Sequence, residues 1–223
     1  MTDTRKVRLQ LGLQWAAARL SYGLTNYRHP LRSTAIRAVR ESHQRAYTST
    51  TPLECVELYT AVAAAEKVAG DMAEAGVYLG GTALIMLAAS RAKRLHLFDT
   101  FEGLPHEEGP VFHAGGWAGS VATVQRNLSA QADRVELYPG LFPGSAADLG
   151  HLRFSFVHLD LDLYDSTLAA LEWFWPRLES GGILLSHDYP LSDGVVRAFD
   201  EFFAERGEPF VPLSGNQCLA IKP

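Results

Sequence analysis

From residue 51 onward, short apolar runs alternate with longer stretches of helical periodicity, and glycine or polar residues gather where the apolar runs stop. A chain built this way is constrained to a mostly parallel sheet with helices on its faces. The strand-like runs are DMAEAGV (71–77), RLHLFDT (94–100), RVELYPG (134–140), RFSFVHLDLD (153–162), GGILLSHDY (181–189), FVPL (210–213) and QCLAIKP (217–223). Between them, TALIMLAASRA (82–92), SVATVQRNLSAQ (120–131), STLAALEWFWPRLES (166–180) and GVVRAFDEFFAERG (194–207) read as helices, the third bent at Pro176. The expected fold is therefore α/β and Rossmann-like, with seven strands. A helix ahead of the first strand starts after Thr51, with Pro52 at its first position and Glu54 completing a capping box, and is expected to reach Gly70.

Residues 1–50 read as a separate helical extension, a lid or an oligomer contact, in front of a domain spanning 51–223, with breaks near Tyr22–Gly23 and His29–Pro30. The extension holds nine Lys/Arg, among them Arg5, Lys6, Arg8 and Arg19, against Asp3 and Glu41, within a chain of net charge −5. A solvated basic face is the expected reading, and no aromatic-basic RNA-binding motif accompanies it. Cys55 and Cys218 make no disulfide framework, which points to a reducing cytoplasm. The longest apolar run, Ala83 to Ala89, is too short for a membrane span, and no signal-peptide pattern opens the chain.

Ligands of parallel α/β sheets bind beyond the carboxyl ends of the strands. The first strand ends in Glu74-Ala75-Gly76-Val77-Tyr78-Leu79-Gly80-Gly81-Thr82, a glycine-rich turn that is neither G-x-G-x-x-G nor a phosphate loop with lysine. The second ends in Asp99, placed to accept both hydroxyls of a ribose. Together these features predict a nucleoside site. The fourth strand delivers His158, Asp160 and Asp162, and the fifth His187 and Asp188. Carboxylates and imidazoles massed together call for a cation or a shared proton, so Asp160, His187 and Asp188 are candidates for a divalent metal or general-base site. His158, inside an apolar strand, reads as a core histidine, and Asp162 or Asp165, with Ser166 and Thr167, as the cap of the next helix.

The segments GDMAEAGVYLGGTA, LFDTFEGLP, VHLDLDLYDST, PRLESGGILLSHDY and GVVRAFDEFF, in that order, resemble the macrocin O-methyltransferase family, whose characterised members methylate hydroxyls of macrolide sugars. The resemblance runs from Thr51 to Lys222. It implies S-adenosylmethionine as cofactor, with Glu74, Gly76, Val77, Tyr78, Gly80, Gly81 and Thr82 around its methionine part. By the same resemblance Asp99, Thr100 and Phe101 hold the ribose, Ser120, Gly140 and Leu141 lie near the adenine, and Asp160 binds metal and accepts the proton. It also implies a small-molecule hydroxyl acceptor and assembly into dimers or higher forms. One departure stands out: the family usually closes its fifth strand with two aspartates that bind magnesium, and here the pair is His187-Asp188. A softer divalent ion could use His187 directly, or His187 could be the general base, its free pKa being about 6.5. Substrate choice is expected from the extension and from HEEGPVFHAGGWAG (106–119), a glycine-bearing lid that carries His106, His113 and Trp117. A nicotinamide-dependent oxidoreductase and a non-catalytic cofactor-binding module remain alternatives, and RNA methylation a more distant one.

Overall fold

In a computed structural model, which describes residues 30–223 together with Leu13, the helix Pro30–Arg45 (α1) leads into Pro52–Ala65 (α2) and a seven-stranded sheet. The strands are Asp71–Ala75 (β1), Leu95–Asp99 (β2), Val135–Pro139 (β3), Phe154–Leu159 (β4), Leu178–His187 (β5), Phe210–Pro212 (β6) and Gln217–Ile221 (β7). Helices Gly81–Ala89 (α3), Val121–Asn127 (α4), Tyr164–Phe174 (α5) and Asp193–Ala204 (α6) fill the connections. The strand order is β3-β2-β1-β4-β5-β7-β6. The first five strands are parallel, while β7 runs antiparallel to β5 and to β6. The seven expected strands are all present, with shifted ends. The breaks expected near Tyr22–Gly23 and at His29 lie outside the described residues.

The capping box forms as read. The Glu54 amide donates to Thr51 Oγ1 at 3.4 Å, and Glu54 Oε2 accepts from the Thr51 amide at 2.8 Å. The helix it opens stops at Ala65, short of Gly70. Gly70 belongs to the turn into β1 instead: its φ is +94°, and a side chain there would meet the Arg153 carbonyl at 2.7 Å. Helix α5 likewise ends at Phe174, and Pro176 sits in a 3-10 turn from which β5 departs at Leu178. Neither Asp162 nor Asp165 caps α5. The Tyr164 amide donates to Glu108, at 3.1 Å to Oε2, so the 106–119 segment itself closes that helix end.

Period-two alternation sends β-strand side chains to two apolar layers. Met72, Leu95, Leu97 and Phe156 pack with Ala35 and Val39 of α1, Leu58 and Val62 of α2, and Ile85 and Met86 of α3. Ala73, Phe98, Val157 and Leu184 pack on the other face with Leu171 and Phe174 of α5 and Phe199 and Phe203 of α6. Phe174 is fully buried and stacks on Phe142 at 5.1 Å, with Phe98 and Phe154 edge-on at 5.7 and 5.3 Å. Phe174→Ala would empty the middle of that layer and should cost about 3–5 kcal/mol, read as a lower denaturant midpoint with an unchanged slope.

Candidate active site

The sheet ladder runs one residue past the central strands. The Gly76 amide donates to the Phe98 carbonyl, Asp160 N to Ala75 O, and Gly140 N to Asp99 O, each at 2.9 Å. Beyond that line β1 and β4 turn to opposite sides, and the gap between their loops becomes a cleft. The turn after β1 crosses so close to β4 that a Cβ on Gly76, whose φ is +89°, would lie 1.8 Å from the Asp160 carbonyl. Only glycine fits there. Asp99 holds the turn: Oδ2 accepts from the amides of Val77 (2.7 Å) and Tyr78 (2.8 Å), and Oδ1 from the Phe101 amide (2.7 Å). A carboxylate offers about four acceptor positions, so these bonds leave room for one further donor rather than the two expected from the sequence.

The cleft encloses about 830 Å³, counting space open to solvent. Among the residues expected at the cofactor, Gly76, Val77, Tyr78, Gly81, Thr82, Asp99, Thr100, Gly140, Leu141 and Asp160 line it. Glu74, Gly80, Phe101 and Ser120 are not among the lining residues. Glu74 is fully buried beneath the turn and bonds His158 Nδ1 at 2.9 Å. His158 is thereby a core histidine. Burial foremost raises the Glu74 pKa against the opposing influence of His158. Gly80 forms the left-handed N-cap of α3, Phe101 packs in the core, and Ser120 caps α4 by accepting from the Thr123 amide.

Behind Asp160 lies the acid–imidazole cluster. His187 Nδ1 is 3.2 Å from Asp160 Oδ1 and 3.1 Å from Asp188 Oδ1, and its Nε2 is 3.6 Å from Glu54 Oε2. These are ion-pair contacts off the line of a hydrogen bond, and both ring nitrogens are buried. His187 and Asp188 do not line the cleft; Asp160 presents the cluster to it. Burial disfavours charge on His187, but Asp160, then Asp188 and Glu54, raise its pKa well above the free value. Burial also opposes ionisation of Asp160, yet His187 outweighs it and lowers the carboxyl pKa. For Glu54 the same opposition to burial by His187, Thr51 and Asn216 brings the carboxyl down to about 2. Asp162, which also lines the cleft, is raised well above the usual carboxylate value by burial and by the neighbouring Asp188.

Sequence reasoning missed the wall made by Tyr47, Thr48 and Ser49, which follow α1. They belong to the extension, and long-range packing brings them in: a Cβ on Gly81 would meet the Tyr47 carbonyl at 2.6 Å. Asp162, delivered by the fourth strand and also read as a cap, lines the cleft and does not cap α5. Trp117 lines the cleft, 38% exposed, with Phe112 at 5.9 Å, and is not a core residue. A usable signal was present in the backbone. The non-glycine residues with positive φ among those described are Tyr78, Phe101, Trp117, Asp162 and Asp188. All sit in loops at this end of the sheet, and backbone strain gathers at functional sites.

Five parallel strands closed by an antiparallel β7, with an acid at the end of β2 and a glycine turn after β1, define a class I methyltransferase fold. The chain belongs to the macrocin O-methyltransferase (TylF) family, whose sequence pattern matches residues 44–211. It is thus an S-adenosylmethionine-dependent O-methyltransferase. It is 34% identical over 183 residues to the 8-demethyl-8-(2,3-dimethoxy-alpha-L-rhamnosyl)-tetracenomycin-C 4'-O-methyltransferase of Streptomyces olivaceus, covering 73% of this chain and 68% of that protein. It is 27% identical over 157 residues to the demethyldecarbamoylnovobiocin O-methyltransferase of Streptomyces niveus, covering 62% and 60%. The structure of the O-methyltransferase NovP superposes with a TM-score of 0.70 at 22% identity, over 78% of this chain and 81% of that one. Among the described residues no helix is long and apolar enough to cross a membrane.

The Gly76 crossing yields a paired test. Gly76→Ala adds both positive-φ strain and overlap with the Asp160 carbonyl, and should cost about 3 kcal/mol or more and abolish binding of S-adenosylhomocysteine. Gly109→Ala, also at positive φ but facing open space, should cost only about 1–2 kcal/mol and leave that binding measurable by calorimetry.

Proposed function

We propose that this methyltransferase acts on a hydroxyl of a sugar carried by a secondary metabolite, in a reducing cytoplasm. The observation that carries the reading is one cleft walled by Gly76, Asp99 and Asp160 together. Both curated relatives are named for O-methylation of a secondary metabolite, and the name of one carries a rhamnosyl group.

In this reading Gly76, Val77, Tyr78, Gly81 and Thr82 surround the methionine part of the cofactor. Asp99, with one acceptor position left, and Thr100 take the ribose, while Gly140 and Leu141 flank the adenine. The bound cofactor supplies an electrophilic methyl group on a sulfonium, which makes alignment and proton removal the protein's tasks. An alcohol attacks poorly until its proton leaves. Asp160 is ionised and faces the cleft, so it is the group that takes the proton. His187 stands behind it, between carboxylates, and serves to orient and neutralise Asp160. A divalent cation fits the same corner: Asp160, His187 and Asp188 offer ligand atoms within 4.8 Å of one another, and His187 Nδ1 is buried without a hydrogen-bond partner. Held there, a cation would acidify the acceptor hydroxyl. Trp117 and the Tyr47–Ser49 wall supply the surface that meets the acceptor ring, and the described part of the extension is thereby a component of the site.

Incubation with methyl-labelled S-adenosylmethionine and a panel of rhamnosylated aromatic polyketides should give a labelled methyl ether on the sugar. Label on no glycoside, or on the aglycone alone, would refute the acceptor class. Asp160→Asn should bind S-adenosylhomocysteine as the wild type does and lower kcat by about 10²–10⁴-fold. Full turnover in that variant would remove Asp160 from the reaction.

A further inference from the structure

We infer that Glu54 is a positioning residue for His187, and that the pair adapts the Asp160/His187/Asp188 corner to a borderline transition cation rather than to magnesium. The inference rests on the metal-assisted part of the reading above and adds to it a residue from a helix outside the strand ends.

His187 ends β5 and is held in register with Gln217 of β7, so its backbone is fixed. Its side chain is 8% exposed, and Nδ1 faces two carboxylate oxygens at 3.2 and 3.1 Å. Donor atoms bound to one ion at about 2.0–2.2 Å stand about 3–3.5 Å apart, the spacing of Nδ1 from each carboxylate oxygen, and all three donors lie within 4.8 Å of one another. Neither ring nitrogen has a hydrogen-bond partner among the described residues. Nδ1 is thus directed into a corner that two carboxylates already address, where a bound cation would take the place of its proton.

The far side of the ring decides which nitrogen a cation would meet. Nε2 faces Glu54 Oε2 at 3.6 Å. Glu54 is 2% exposed and immobilised on every side. Its Oε2 accepts from the Thr51 amide at 2.8 Å and the Thr51 hydroxyl at 2.6 Å, and its Oε1 from the Asn216 amide at 2.8 Å. Gly215, at φ +110°, keeps open the space the carboxylate occupies, since a Cβ there would lie 2.7 Å from Oε1. At 3.6 Å Glu54 makes an ion-pair contact with Nε2 rather than a hydrogen bond, and this buried negative charge favours the remaining proton on Nε2 when a cation holds Nδ1. The capping box of α2 therefore acts as a bracket behind His187.

One imidazole and two carboxylates are a donor set for a borderline ion, whereas magnesium favours an all-oxygen octahedron. Asp160 opens onto the cleft, so the remaining coordination positions face the substrate side, as a catalytic ion requires.

The test uses the full-length protein, stripped with chelator and titrated separately with Co²⁺ and Mg²⁺ by calorimetry. The visible bands of Co²⁺ report its ligands, and S-adenosylhomocysteine is titrated into the same samples. One Co²⁺ per chain should bind to the wild type. Glu54→Gln should weaken Co²⁺ by about 10–100-fold. His187→Asp should shift the Co²⁺ bands and lower the ratio of Co²⁺ to Mg²⁺ affinity. Unchanged Co²⁺ binding in a folded Glu54→Gln, or an unchanged ratio in His187→Asp, overturns the inference. Should Glu54→Gln fail to fold by circular dichroism, the His187→Asp ratio decides alone. A wild type that takes up S-adenosylhomocysteine but no Co²⁺ refutes the metal site and leaves the methyltransferase reading intact, whereas no uptake of the nucleoside strikes that reading itself.

Discussion

The carboxylate of Asp99 is the fastening on which the functional end of the sheet depends. Its bonds to the amides of Val77, Tyr78 and Phe101 tie the turn after β1 to the end of β2. Charge-assisted bonds of this kind are the stronger ones, and here they stabilise positive φ at Tyr78 and Phe101, each of which is unfavourable alone. With the turn pinned, Gly76 can pass against the Asp160 carbonyl, and β1 and β4 diverge at the point where the strand order reverses. A cleft at that place follows from connectivity, as in other open parallel sheets. What is particular to this chain is the furnishing of the cleft.

Its polar corner is governed by charge balance. Asp160, Asp162 and Asp188 come from two neighbouring strand ends, and Glu54 approaches from a helix. Four carboxyls around one buried imidazole cannot all be ionised without a compensating positive charge. The raised pKa of Asp162 and the raised pKa of His187 are two expressions of that demand. A bound cation would meet it in a third way. The histidine that ends β5 therefore enters the charge balance as well as any ligand chemistry, and Glu54 is the carboxylate that faces it from the helix side.

Most of the frame was legible in the sequence because it rests on local rules. Alternation of apolar runs and helical stretches gave away the sheet, Thr51 and Glu54 the capping box, and the strand-end residues Gly76, Asp99 and Asp160 the cleft. The misses share a cause in long-range packing. Glu108 caps α5 from a loop far upstream, which leaves Asp165 without the role its position suggests. Ser120, expected near the adenine, caps α4 and is not among the residues that line the cleft. Tyr47 and its neighbours carry no motif and reach the cleft only because α1 packs on α2 and α3. Glu54 was read correctly as a cap, and its second contact, with His187, has no trace in local spacing.

The central claim is that this cleft is shaped for a sulfonium nucleoside and not for a nicotinamide cofactor. Calorimetric titration of the wild-type protein with S-adenosylhomocysteine and, in parallel, with NADH tests it most directly. The account predicts saturable one-to-one uptake of S-adenosylhomocysteine, displaced by S-adenosylmethionine, and no heat from NADH. Binding of NADH, or silence toward both sulfur nucleosides, would contradict it.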